Sequence, residues 1–175
     1  MKTNNLFLSA FFWAIACRLL THPGEAVILD AACHILNSET GGLAVHSGIV
    51  PRIIVGDRGR FTPEQVAELI TGAGHYRPQT TMLACEQTHN GGGGTIWPLE
   101  QLQAVCAVAR DRGLRTHLDG SRLFNAVVAT GIPAVDYAAP FGTVTLSLSK
   151  GLGCPTGALL AGPAELIARA ARLIA

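Results

Sequence analysis

The sequence predicts an α/β domain built on a largely parallel sheet. Three observations carry this. Short apolar runs of strand length alternate along the chain with segments of helical periodicity. Glycine and proline fall at the boundaries between them. Apolar residues make up 49% of the chain and charged residues only 14%. Such a composition fits strands buried on both faces, a contact surface for a missing partner, or both. The 175 residues suffice for one domain with a proper core, and no repeat, low-complexity segment or linker interrupts them.

In chain order, residues 5–20 read as a buried helix closed by Thr21-His-Pro-Gly24. Residues 25–30 form a first strand, and Ala31 to Asn37 a loop entering a helix. Gly41-Gly42 breaks the pattern before the apolar Leu43-Ala-Val. Residues 52–55 are a second strand, with a turn at 56–59. Thr62 as N-cap, Pro63 at the first helical position and Gln65 at the capping-box position then open a helix whose apolar face is Val66, Leu69 and Ile70. Residues 80–85 are the third strand, followed by Glu86 to Asn90 and the four glycines 91–94. Pro98 opens a helix through Leu102, Val105, Cys106 and Ala109 that stops at Gly113. Residues 114–119 make the fourth strand, and a helix after Gly120 runs to about Gly131. Residues 144–149 and 157–161 are the last strands, and an amphipathic helix begins at Ala164.

Several function classes are disfavoured. The formal net charge is +1, and no basic run points to nucleic acid. Five cysteines without a C-x-x-C fit reduced thiols in a cytoplasmic protein rather than a disulfide framework or a zinc site, so no metal is expected. The run from Leu6 to Cys17 behind Lys2 has the look of a signal peptide but is too short for a membrane span; a helix is the preferred reading.

Ligands of open α/β sheets bind beyond the carboxyl ends of the strands. The residues there are Asp30 and His34, then Glu86, His89 and Asn90, then Asp119 and Arg122, and finally Ser147, Ser149 and Lys150. Lys150 is the only lysine after Lys2 in a chain with eleven arginines. Taken alone it fits a solvated strand end better than a reactive amine. Partly desolvated, it is a nucleophile toward carbonyls, the use made of lysine by pyridoxal phosphate (PLP) enzymes. Asp119 suits a protonated pyridine nitrogen equally with a local cap, and Arg122 offers a fork to a carboxylate or phenolate oxygen. His34 fits a ring lying against an aromatic cofactor or an ordinary polar contact. His89 fits a general base in reach of a substrate hydroxyl or a plain loop histidine. His117, inside a strand, reads as structural. The four glycines lack phosphate-loop spacing, and Ser147 and Ser149 lack the nucleophile-elbow pattern.

The segments Cys85-Glu-Gln-Thr-His-Asn90, His117-Leu-Asp-Gly-Ser-Arg-Leu-Phe-Asn-Ala126 and Ser147-Leu-Ser-Lys-Gly-Leu-Gly-Cys-Pro-Thr-Gly157 resemble, in that order, the low-specificity L-threonine aldolases. The resemblance runs from about Pro23 to the C-terminus. It implies the three-layer α/β/α large domain of aspartate-aminotransferase-like PLP enzymes, and retro-aldol cleavage of threonine or allo-threonine to glycine and acetaldehyde. It also implies a small amino-acid substrate, no nucleic-acid or membrane partner, and a homo-oligomer, a tetramer in the family. Lys150 resembles the Schiff-base lysine and Asp119 the partner of the pyridine nitrogen. Arg122 resembles the arginine near the phenolic oxygen and the substrate carboxylate. His34 resembles the histidine stacked on the ring, and His89 the second active-site histidine.

Departures from the family pattern shape the expectation. The Gly-Thr-x-x-Asn segment that holds the cofactor phosphate would fall near Ala10 to Trp13 and is not there. The reading is therefore an atypical apolar segment at 1–22, a partial PLP-binding large domain at 23–175, and an absent C-terminal small domain. Weakened cofactor binding and poor turnover follow. Gln87, Ser121 and Thr156 are smaller departures. Another PLP lyase or aminotransferase, and a non-catalytic remnant that folds against a partner, are the alternatives.

Overall fold

The computed structural model describes residues 6–72 and 74–174. Its six strands are β1 (Ala26–Asp30), β2 (Val50–Ile54), β3 (Thr80–Glu86), β4 (Arg115–Asp119), β5 (Thr143–Ser147) and β6 (Ala158–Ala161). They form one sheet in the order β2-β1-β3-β4-β5-β6. All neighbours are parallel except β6, which runs antiparallel to β5. The chain leaves β1 for β2 on one side, then crosses to β3 on the other. The β1/β3 gap is thus the topological switch point, where a ligand crevice opens beyond the strand ends.

The central strands are apolar on both faces, and their side chains alternate between two cores. Ile28, Leu83, Cys85 and Leu118 pack toward α3 (Pro63–Leu69), α4 (Leu99–Asp111) and α5 (Leu123–Thr130). Val27, Leu29, Met82 and Ala84 pack on the opposite face against Trp13, Cys17 and Leu20 of α1 (Leu6–Leu20), with Ile35 of α2 (His34–Asn37). This is the expected three-layer arrangement. The α3 cap is as its sequence dictates: Thr62 accepts from the Gln65 N–H and the Gln65 side chain accepts from the Thr62 N–H. Leu102, Val105, Cys106 and Ala109 are the buried stripe of α4.

Some elements differ from expectation. β2 begins two residues early and includes Pro51, which an edge strand tolerates because one of its rims forms no ladder. Residues 43–47 form a π-helical turn closed by Gly48. A further short helix, α6 (Ala134–Ala138), follows Pro133, and α7 (Ala164–Ile174) packs Ala170 against Ile15 and Leu19 of α1. No helix among the described residues is long and apolar enough to cross a membrane.

His117 is structural, as its place in a strand suggests. It is fully buried, edge-on to Trp13 at a ring separation of 4.8 Å. Its Nδ1 lies 2.8 Å from the Thr143 hydroxyl and its Nε2 3.4 Å from that of Thr145. Burial holds its pKa down to about 4. The unfolded chain then takes up a proton near pH 6.5 that the folded chain refuses until about pH 4. Stability is therefore lost as pH falls through that window, by up to about 3 kcal/mol. Urea midpoints measured from pH 7 to 4 should show this slope, and His117→Gln should flatten it. An identical slope in the variant would refute the assignment.

Candidate active site

The parallel strands deliver their last residues to one edge. Asp30 ends β1, Glu86 ends β3, Asp119 ends β4 and Ser147 ends β5. Glu86 and Asp119 are direct neighbours in the β3/β4 register. Lys150 lies in the turn after β5, where its carbonyl accepts from the Gly153 N–H and closes the turn. Arg122 stands at the N-cap of α5.

Between β1 and β3 sits a buried ionic cluster. Asp30 accepts from the N–H groups of Ala32 and Gly56. Its Oδ1 is 3.3 Å from Nε2 of His89, and Glu86 Oε2 is 3.8 Å from the same nitrogen. Nδ1 of His89 accepts from the Gly92 N–H, which assigns the ring proton to Nε2. Burial opposes charge on His89, but Asp30, Glu86 and Asp119 outweigh it and raise its pKa. Burial would likewise raise Asp30, yet His89 and the two backbone donors leave its carboxyl below the usual range. Glu86 is pushed up, first by burial and then by Asp119, against donors from the Asn90 and His34 N–H groups.

His89 is 1% exposed; its Nδ1 is hydrogen-bonded, while its buried Nε2 faces Asp30 without forming a hydrogen bond. The ring thereby ties the glycine loop to the end of β1, and the role expected of it toward a substrate hydroxyl is neither met nor contradicted by these contacts. Gln87 has a similar bracing part, exchanging two hydrogen bonds with the backbone of Trp97.

Asp119, Arg122, Lys150 and His34 do converge. Asp119 is buried; its Oδ1 accepts from the Ser121 N–H, while Oδ2 has no partner among the described residues. The local cap and the free acceptor thus coexist on one carboxylate. Desolvation lowers the Lys150 pKa, with Arg122 adding to it and Asp119, Glu86 and Glu39 opposing. His34 opens α2, half-buried, with Nδ1 2.6 Å from Oε1 of Glu39. That contact is the chief cause of its raised pKa; Asp119 raises it and Lys150 lowers it further. These mutual effects put all four residues in one electrostatic neighbourhood.

Glu86 and Glu39 are the members whose parts sequence reasoning left unassigned. Glu86 was visible as a strand-end carboxylate. Glu39, in Ser38-Glu-Thr-Gly41, carried no signal beyond its glycine-rich turn.

A lysine beyond β5, a buried carboxylate on the neighbouring β4 and an arginine at the N-cap of α5 thus stand at one edge of a mostly parallel α/β domain. The fold is that of threonine aldolase from Leishmania major, with a TM-score of 0.83 at 22% identity over 95% of this chain and 48% of the other. Aspartate aminotransferase from Thermus thermophilus matches at a TM-score of 0.66 and 18% identity, over 94% of this chain and 44% of that one. The chain belongs to the beta-eliminating lyase family, whose model matches residues 14–175. Low specificity L-threonine aldolase of Escherichia coli K12 is 37% identical over 174 residues, 98% of this chain and 51% of the relative. Low-specificity L-threonine aldolase 1 of Arabidopsis thaliana is 34% identical over 151 residues, 84% of this chain and 42% of the relative. The chain spans about half the length of the curated relatives it matches. The family match begins inside α1, ahead of Pro23, from which the sequence motifs run.

Proposed function

We propose that this chain carries the cofactor-anchoring part of a PLP-dependent lyase that cleaves β-hydroxy-α-amino acids, threonine or allo-threonine, to glycine and acetaldehyde. The observation that carries the reading is the pairing of a desolvated lysine, Lys150, with a buried carboxylate, Asp119, whose Oδ2 is free to take a ring N–H. The residues present fit PLP at that end. Lys150 would hold its carbonyl carbon, Asp119 its ring nitrogen, and Arg122 an oxygen of the ring or of the substrate carboxylate. When bound, PLP supplies an electron-withdrawing ring that accepts the charge left at Cα.

The chain's own groups supply the rest. The lowered pKa of Lys150 raises the share of neutral amine able to attack a carbonyl. Asp119, kept from water, holds a proton at the ring nitrogen. Arg122 orients a carboxylate through its planar donors. His34 has an Nε2 without a described partner, so it is assigned the proton of the substrate β-hydroxyl. Asp30, Glu86 and His89 hold the floor of the site rigid.

The test uses the scarcity of lysine, Lys2 and Lys150 being the only two. Protein is incubated with PLP, reduced with borohydride and mapped by mass spectrometry. A pyridoxyl adduct on the Lys150 peptide is expected, together with acetaldehyde and glycine in equal amounts from L-threonine. No adduct, or one confined to Lys2, overturns the proposal; a keto acid in place of acetaldehyde indicates amino transfer.

A further inference from the structure

We infer that Glu39 is the positioning residue of the site: its carboxylate binds Nδ1 of His34 and so leaves Nε2 as the ring atom available to a ligand. The inference deepens the proposed function and rests on it for the identity of that ligand. Glu39 and His34 meet at 2.6 Å, with side chains 12% and 17% exposed. Such a contact requires the proton on or shared with Nδ1, as in a carboxylate–imidazole pair where the distal nitrogen does the chemistry.

The backbone is built to make this contact. The Ala31 and Cys33 carbonyls accept from the Asn37 amide, which ties α2 to the end of β1. The Ser38 N–H then donates to the His34 carbonyl, and the Gly42 N–H to that of Glu39. Thr40 takes a left-handed φ of 51°, followed by Gly41 at 74°. A β-branched residue there costs about 1–3 kcal/mol, which the surrounding contacts must outweigh. That reversal turns the chain away directly after Glu39, while the short α2 and its Ser38 cap set the five-residue spacing across which Glu39 meets His34. Other charges facing the ring come from separate elements: Glu86 on β3, which accepts from the His34 N–H, Asp119 on β4, and Lys150 beyond β5. Glu39 also acts on Lys150, so its charge belongs to the site as a whole.

The pairing is tested without cofactor, by imidazole NMR on wild-type protein and Glu39→Gln, with His34→Asn to assign the signals. Wild type should show a downfield Nδ1 proton on His34 and a titration midpoint above that of an ordinary histidine. Glu39→Gln should lose the downfield proton and move the midpoint downward, and Glu39→Asp should restore part of both. An unchanged midpoint in Glu39→Gln overturns the inference. Should that variant fail to fold, absence of the downfield proton in wild type does so. The second arm follows the pH dependence of PLP affinity, expected to shift with the His34 midpoint in Glu39→Gln. PLP affinity with the same pH profile in both proteins also overturns the inference. Failure of wild type to bind PLP at all overturns the proposed function while leaving the NMR result standing.

Discussion

Lys150→Ala is expected to abolish the absorbance band that PLP acquires on this protein and to lower turnover of threonine by about 10³-fold or more. Lys150 is the only lysine among the described residues, and arginine does not lose its proton. The environment that lowers the Lys150 pKa also explains why the fold should survive its loss. Desolvation disfavours its charge, and the Lys150 amine makes no described hydrogen bond or ion pair. Removing it relieves that cost, so the urea midpoint should stay within about 0.5 kcal/mol of wild type. A band that persists in the variant, or a variant that no longer folds, contradicts the assignment.

Gly59→Ala should be far more damaging to the fold, although the change is one methyl group. Gly59 has φ of +89°, and a Cβ there would lie 2.2 Å from Cγ and 2.3 Å from Cδ2 of His89. The ring has nowhere to go. The Gly92 N–H binds its Nδ1, Asp30 Oδ1 stands 3.3 Å from its Nε2, and the side chain is sealed from solvent. A loss of about 3–5 kcal/mol is expected, near the top of the range for single substitutions. Gly131→Ala is the control. Gly131 shares the left-handed backbone at φ +74° but faces open space, so only the backbone cost of about 1–2 kcal/mol applies. Equal urea midpoints for the two variants would show that His89 is not locked as described.

The strand ends were readable because parallel strands declare themselves as apolar runs, and a polar residue terminating each run marks the carboxyl edge. Asp30, Glu86 and Asp119 were found this way, and the α3 capping box by its Thr-Pro-x-Gln spelling. What stayed hidden depends on long-range geometry. Nothing in Thr88-His-Asn reveals that the His89 ring is buried between Asp30 and the Gly92 N–H. The His34–Glu39 contact forms across a four-residue helix and its cap, a run too short to show a helical period in the sequence. The short α6 was missed because five residues are too few to show a helical period.

The crossing of the chain between β1 and β3 has a consequence for how ligand and fold communicate. His34, Asp119 and Lys150 arrive from opposite sides of that crossing, and 116 positions separate the first from the last. A molecule gripped by all of them fastens distant stretches of polypeptide together, as a crosslink would. At a concentration 100 times its dissociation constant it adds about 2.7 kcal/mol to the stability of the entire sheet. Resistance to proteolysis far from the site, in α4 or β6 for instance, then becomes a sensitive measure of whether the cofactor has been captured.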